Sequence, residues 1–182
     1  MKRIIKSMEE KYLGPSLDLV EAVFTAHENE KEGKMVRSLV EEIRSKRFYV
    51  PDLELIMVDE ADEVIGYAMF SRFHLEGKYE NELLLLSPVA VKTELQRRHI
   101  SKELIEFGFE KAKALGYKAV IVEGNPANYR ARGFVTSALH GIVAAESVGL
   151  PAVECLMVKE LVPGGLSGIR GTVAYSDYEC LT

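Results

Sequence analysis

A chain of 182 residues, 47% hydrophobic and 28% charged, is long enough to bury one core and one cleft and has the balance of an ordinary globular domain. Its formal charge of -5 provides no broad cationic surface for neutralising phosphates, which argues against sequence-independent nucleic-acid binding and leaves only a local basic patch open. Two cysteines, Cys155 and Cys180, are too few and too isolated for a disulfide framework or a zinc site. With no apolar run of membrane-spanning or signal-peptide type, the expectation is a cytoplasmic protein without a membrane partner.

In chain order, residues 2 to 7 read as a first strand, and Gly14-Pro15-Ser16 as a turn and helix start that places Leu17, Val20 and Phe24 on one face. Met35, Val36, Leu39, Val40 and Ile43 mark a second amphipathic helix whose outer face carries Glu41, Arg44 and Lys46. Leu55 to Val58 and Val64 to Phe73 are β-rich runs joined by the acidic turn Asp59-Glu60-Ala61-Asp62, with Gly66 implying a bulge or a close backbone approach. Leu83 to Leu86 and Val89 to Val91 form an apolar strand of the kind buried on both faces, interrupted at Ser87-Pro88, where proline cannot donate to a ladder and the strand must bulge or leave its neighbour. Ser101 to Leu115 turns helical, with Leu104, Ile105, Gly108, Phe109, Ala112 and Leu115 on one face and Gly116 closing it. Ala119 to Val122 is a second apolar strand, so strand, helix and strand make a βαβ unit with two parallel strands. A short helix at Ala127 to Arg132, a strand beginning near Phe134, another from Val153 to Leu161 and a Gly-rich tail complete the chain.

Chemistry is expected where a strand runs directly into a helix N-terminus, in Gln96-Arg97-Arg98-His99-Ile100-Ser101. Unpaired N–H groups and the positive end of a helix dipole there make an anion site, reinforced by Arg97 and Arg98. By itself this segment reads more readily as a plain loop with solvated arginines than as a binding site. Two neighbours add context: the strand broken at Pro88, whose free backbone groups suit an extended ligand, and Asn128-Tyr129-Arg130-Ala131-Arg132-Gly133-Phe134, which brings a phenol to the same end of the sheet. A lone tyrosine in a short helix is otherwise a core residue.

This order of elements resembles the GNAT superfamily of acetyl-CoA-dependent N-acetyltransferases over about residues 2 to 161, and is similar in particular to its YhbS-like branch. Val89-Ala90-Val91 followed by Gln96, then Leu115-Gly116-Tyr117, Gly124-Asn125-Pro126 and Gly133-Phe134, carry the likeness, and the tail from Leu161 through Val173 is similar to that branch's C-terminal extension. The resemblance implies an α+β domain at 1 to 161 with a mixed, twisted central sheet, helices on both faces and a V-shaped splay between two parallel strands. Residues 162 to 182 are then an extension packed on the same domain. It further implies that Val89, Ala90 and Val91 meet the pantetheine arm, that Gln96, Arg97, Arg98, His99, Ile100 and Ser101 cradle the pyrophosphate, that Asn125 and Asn128 stand beside the cofactor, and that Tyr129 protonates the departing thiolate. A phenol suits that role because its ordinary pKa near 10 keeps it a neutral donor at pH 7.

The family loop reads Gln/Arg-x-x-Gly-x-Gly/Ala, whereas His99 and Ser101 occupy the two small positions here. Glycine permits close phosphate approach; an imidazole either crowds the site or supplies a donor, and Ser101 suits a helix cap. The alternative to an enzyme transferring acetyl to an amine, of a small molecule or of a protein, is therefore a degenerate domain that binds CoA or a protein partner without catalysis. His27, His74, His99 and His140 show no metal-ligand spacing. Glu82, His74 and Glu123 are open candidates for a general base. No cysteine or serine has a nucleophile's partners, so direct attack in a ternary complex is expected. The apolar strand at Val153 to Val158 and the tail are compatible with a homodimer.

Overall fold

The computed structural model describes all 182 residues. Its strands are β1 (Arg3–Ser7), β2 (Glu54–Asp59), β3 (Val64–Arg72), β4 (Leu83–Val91), β5 (Ala119–Glu123), β6 (Val135–Thr136), β7 (Ile142–Ala144), β8 (Leu156–Glu160) and β9 (Gly171–Val173). Its α-helices are α1 (Leu13–His27), α2 (Glu30–Arg44), α3 (Ile100–Ala114) and α4 (Pro126–Arg130). Seven strands form one sheet in the order β1-β2-β3-β4-β5-β8-β6, and β7 pairs with β9 in a small second sheet. The main sheet is antiparallel throughout except at β4 and β5, which run parallel as the βαβ spacing requires.

Alternation of side chains sorts the apolar residues into two layers. Leu55, Met57, Ala68, Phe70, Leu84, Leu86, Val120 and Val122 face α3, where they meet Ile100, Leu104, Ile105 and Phe109. Ile56, Val58, Tyr67, Met69 and Ala90 face the opposite way, under Leu17 and Val20 of α1 and Val36, Leu39, Val40 and Ile43 of α2. Helices thus cover both faces. The fit to α3 is close: a Cβ on Gly108 would lie 2.2 Å from the Phe70 ring, and one on Gly66 would lie 2.7 Å from Ile100. Gly66 therefore marks a close approach of helix to sheet.

Several expectations need correction. Arg44 does not lie on an outer face: its Nε donates to the fully buried Glu54 carboxylate at 2.8 Å, and its Nη2 to Ser16 at 2.9 Å. Glu54 also accepts from the hydroxyls of Tyr49 at 2.6 Å and Tyr67 at 2.5 Å, so the charge is neutralised and hydrogen-bonded as burial demands. Burial next to that carboxylate pushes the Tyr67 phenol well above its ordinary range. Leu115 is 46% exposed because α3 ends at Ala114, before the next buried position of its face. The strand expected over Val153 to Leu161 splits into a 3₁₀ turn, Val153–Cys155, and β8, whose partners on β5 run from Glu123↔Leu156 to Ala119↔Glu160. The helix expected to reach Arg132 stops at Arg130.

The C-terminal segment packs on the sheet face opposite α3. Leu166, Ile169 and Val173 are buried against Leu83, Leu85, Ala119 and Ile121. Beyond them, Tyr178 is buried beside Phe48, with the Lys46 ammonium 5.3 Å from its ring centroid. Glu42 of α2 ties down the last turn by accepting from the N–H groups of Glu179 at 2.9 Å and Cys180 at 3.2 Å. Burial alone raises the Glu42 pKa, but Lys46 at 2.7 Å and these two N–H groups outweigh it and hold the carboxyl at about 2 instead of 4.5. A depressed acid stabilises the fold above its unfolded pKa and loses that contribution as pH falls toward its folded one. Glu42→Gln is therefore expected to lower the melting temperature at pH 6, and the gap between variant and native protein to close as pH falls from about 4.5 to about 2. A gap independent of pH would show that the charge does not hold the tail.

Candidate active site

The site begins with a count of residues. Ala68 pairs with Val89 but Phe70 pairs with Leu86, so two steps along β3 span three along β4, and the additional residue falls at Ser87-Pro88. The Ser87-Pro88 bond is cis. The bulge reverses the alternation: Leu84 and Leu86 face α3 before it, and Val89 and Val91 face α3 after it. On its other edge β4 pairs with β5 only through Leu83↔Ala119, Leu84↔Val120 and Leu85↔Ile121. β5 is held along its whole length by β8 instead. The strands consequently part, leaving an opening between Val91 and Val122.

Which backbone groups face the opening follows from one hydrogen bond. Lys92 N–H donates to Ile65 O at 2.9 Å, toward β3. Alternation along the strand turns Ala90 the same way and turns the N–H and C=O of Val89 and Val91 toward the opening. The Gln96 side-chain amide, donating to Val91 O at 3.4 Å, agrees with this direction. Ala90, expected alongside them, thus has its backbone occupied by β3 and its methyl buried on the α1 side.

The loop after β4 passes through a 3₁₀ turn at Thr93–Leu95 and then adopts left-handed conformations at Arg97, φ 62°, and His99, φ 64°. His99 is the N-cap of α3 and makes no side-chain capping bond. The N–H groups of Arg97, Arg98 and His99 donate to no protein acceptor, and those of Ile100, Ser101 and Lys102 open the helix. His99 accordingly follows the left-handed path that glycine takes freely, with its imidazole exposed. Ser101 does not cap the helix. It lies in the first turn, and its Oγ accepts from Arg132 Nη2 at 3.0 Å.

Across the opening, β5 ends at Glu123, Gly124 follows in a bend, and Asn125 caps α4 by accepting from Ala127 N–H at 3.0 Å. Its side chain is therefore spent on the cap. Asn128 is exposed, and its carbonyl accepts from Arg132. Tyr129 packs edge-on against Phe134 at 5.6 Å and lies over Gly124, where a Cβ would come within 2.6 Å of the ring. Burial raises the Tyr129 pKa, partly offset by the positive charge of Arg132. The phenol is thus protonated at neutral pH and available as a donor.

Of the three candidate bases, two stand at the wrong end of the sheet. Glu82 precedes β4, with its carboxylate 3.7 Å from Lys118, and His74 follows β3 with both ring nitrogens engaged, Nδ1 by Gly77 N–H at 2.9 Å and Nε2 by Asp177 at 2.7 Å. Glu123 ends β5 at the mouth of the opening and accepts from Tyr175 Oη at 2.7 Å. By alternation with Ala119 and Ile121 it points away from α3, to the face covered by the C-terminal segment. Sequence reasoning missed Arg132 and the Tyr175 contact. A charged residue immediately before Gly133 and the buried Phe134 was the one available signal for Arg132.

Residues 17–140 match the profile of the acetyltransferase (GNAT) family, which covers more than half of the chain. The uncharacterised N-acetyltransferase YhbS of Escherichia coli is 28% identical over 152 residues, 83% of this chain and 84% of its own. The crystal structure of Escherichia coli YhbS in complex with CoA superposes with a TM-score of 0.82 at 25% identity, covering 99% of this chain and 92% of that one. A Brucella melitensis GNAT acetyltransferase in complex with acetyl-CoA shares the fold, with a TM-score of 0.69, 23% identity and coverage of 100% and 99%.

A non-glycine residue at positive φ carries a penalty of about 1 kcal/mol, which glycine relieves less its own greater freedom in the unfolded chain. His99→Gly is expected to leave the melting temperature unchanged or raise it by a few degrees, and to keep CoA affinity within about threefold, since the backbone N–H groups of the loop stay free for an anion in either protein. Calorimetry of the two proteins checks this. A variant that binds CoA tenfold more tightly would show that the imidazole obstructs the loop.

Proposed function

The chain belongs to the acetyltransferase (GNAT) family, and from that premise we propose that it transfers an acetyl group from acetyl-CoA to an amine by direct attack within a ternary complex. It is an N-acetyltransferase with acetyl-CoA as co-substrate, in keeping with its membership and with relatives solved bound to CoA and acetyl-CoA. The observation that carries the finer reading is the opening itself: β4 parts from β5 after three paired residues, and Tyr129 stands on the helix that follows β5.

The donor set fits the cofactor. Val89 and Val91 offer the open edge of β4 to the amides of the pantetheine arm, in the manner of an added strand. The unpaired N–H groups from Arg97 to Ser101, at the positive end of α3, suit pyrophosphate oxygens. Asn125 spends its side chain on the cap of α4, whereas Asn128 gives its backbone carbonyl to Arg132 and keeps an exposed side chain free. Acetyl-CoA brings an activated thioester, so the protein need only position, polarise and move protons. An N–H at the open edge of β4 stabilises negative charge developing on the thioester oxygen. Tyr129, neutral and half-buried, gives its proton to the departing sulfur. Glu123 faces the acceptor side and receives the proton of the attacking amine, with Tyr175 holding the carboxylate in place.

Direct attack is supported by the cysteines. Burial, followed by the adjacent Glu42 carboxylate, raises the Cys180 thiol to about 11, so it is no thiolate nucleophile at neutral pH. Cys155 sits in the 3₁₀ turn before β8 with its carbonyl bonded to Gly124 N–H at 2.9 Å.

Tyr129→Phe is expected to lower kcat by about 10²-fold, roughly 2.7 kcal/mol of transition-state stabilisation, while CoA affinity changes less than about threefold. Steady-state rates with an accepted amine, paired with calorimetry, check both halves. Unchanged kcat removes Tyr129 from the mechanism, and failure of the native protein to bind any CoA species at millimolar concentration removes the site. Glu123→Gln is expected to shift the rise of kcat/KM to higher pH, because the amine must then lose its proton to solvent before attack. An identical pH profile would assign Glu123 to the architecture alone.

A further inference from the structure

Arg132 is half-buried where its charge finds no carboxylate. Nη1 donates to Asn128 O, Nη2 donates to Ser101 Oγ at 3.0 Å, and Nε is a buried donor without any partner. None of these acceptors is charged, and no ion pair involves this guanidinium, although Arg3, Arg37, Arg44 and Arg47 each have one. Ser101 lies in the first turn of α3. The positive end of a helix dipole repels a cation, and the exposed Arg97 and Arg98 beside it add to that repulsion. Glu103, the acid of that first turn, is taken by Arg3 at 2.5 Å. A fixed cation in such a place is favourable when an anion shares it.

We infer that Arg132 is a further determinant of cofactor binding, which places a guanidinium beside the pyrophosphate through Ser101 and joins the loop of α3 to the helix that carries Tyr129. The inference rests on the assignment of Gln96 to Ser101 as the pyrophosphate loop. It explains why Ser101 replaces a smaller residue: its hydroxyl accepts from Arg132 and so fixes the guanidinium at the helix end. The same charge draws the Tyr129 phenol back toward its ordinary pKa against the effect of burial, which makes it a readier proton donor. Arg132 acts on Tyr129 as a positioning residue, since nothing requires it to touch the reacting atoms.

The test compares CoA with pantetheine, which has the arm but no pyrophosphate, by calorimetric titration and by competition against CoA. In Arg132→Leu, CoA affinity is expected to fall about tenfold, roughly 1.4 kcal/mol, while pantetheine affinity stays within twofold. Arg132→Lys, which keeps the charge, is expected to retain most of the CoA affinity. If Arg132→Leu melts more than a few degrees below the native protein, Arg132→Gln carries the same comparison. Equal losses for CoA and pantetheine would reduce Arg132 to a packing role, and unchanged CoA affinity in a folded variant would overturn the inference. Failure of the native protein to bind CoA at all would instead strike the loop assignment on which it stands.

Discussion

β4 and β5 pair for three residues and then part, and the site is a consequence of that short ladder. An interior strand edge with unpaired N–H and C=O groups is costly, which is why nearly all buried backbone groups in folded proteins find partners. Here two neighbours enforce the separation. The additional residue at Ser87-Pro88 displaces the second half of β4 within its ladder to β3, and β8 holds β5 along its full length. The parted edge is therefore part of the folded state before any ligand arrives. That edge suits an extended molecule with amides of its own, which is the role proposed for it.

From the same break follows the placement of the loop. Because the alternation reverses at the bulge, Val89 and Val91 pack toward α3, and the chain leaves β4 on the side where α3 begins. The turn into the helix passes through two residues in left-handed conformation, Arg97 and His99, neither of them glycine. His99 bears a conformational penalty of about 1 kcal/mol to keep the path. Its side chain is exposed and the left-handed path is kept, so the departure from glycine changes the energy of the loop far more than its shape.

The parts of this arrangement that were legible in the sequence depend on near neighbours along the chain. Pro88 within an apolar run announces a broken ladder, Gly116 at φ 94° closes α3, and the periodicity of Leu104, Ile105 and Phe109 gives that helix its buried face. What escaped depends on pairs distant in sequence. Arg44 satisfies the helical pattern as an outer residue until Glu54 is seen to be buried beneath it. Ser101 resembles a cap, and only the approach of Arg132, 31 positions later, reveals its hydroxyl as an acceptor. Glu123 could not be ranked above Glu82 or His74 until strand order put it alone at the mouth of the opening. Tyr175, 52 residues further on, then supplies its hydrogen bond.

Charge is divided between the two sides of the opening in a way that net charge conceals. On the α3 side stand Arg3, Arg97, Arg98 and Arg132, with Glu103 held by Arg3. On the opposite face Glu123 accepts from Tyr175 of the tail. A cofactor rich in phosphate is attracted to the first field, and an amine in its ammonium form to the second. In the proposed reaction the thioester lies between them, with Tyr129 on the helix that is bonded through Arg132 to the cationic side, and Glu123 on the other. The proposal thereby puts proton donation to sulfur and proton removal from nitrogen on different faces of one sheet, so the two groups do not compete for the same proton. The Gly-rich C-terminal segment covers the face to which Glu123 points, anchored through Val173, Tyr178 and Glu42.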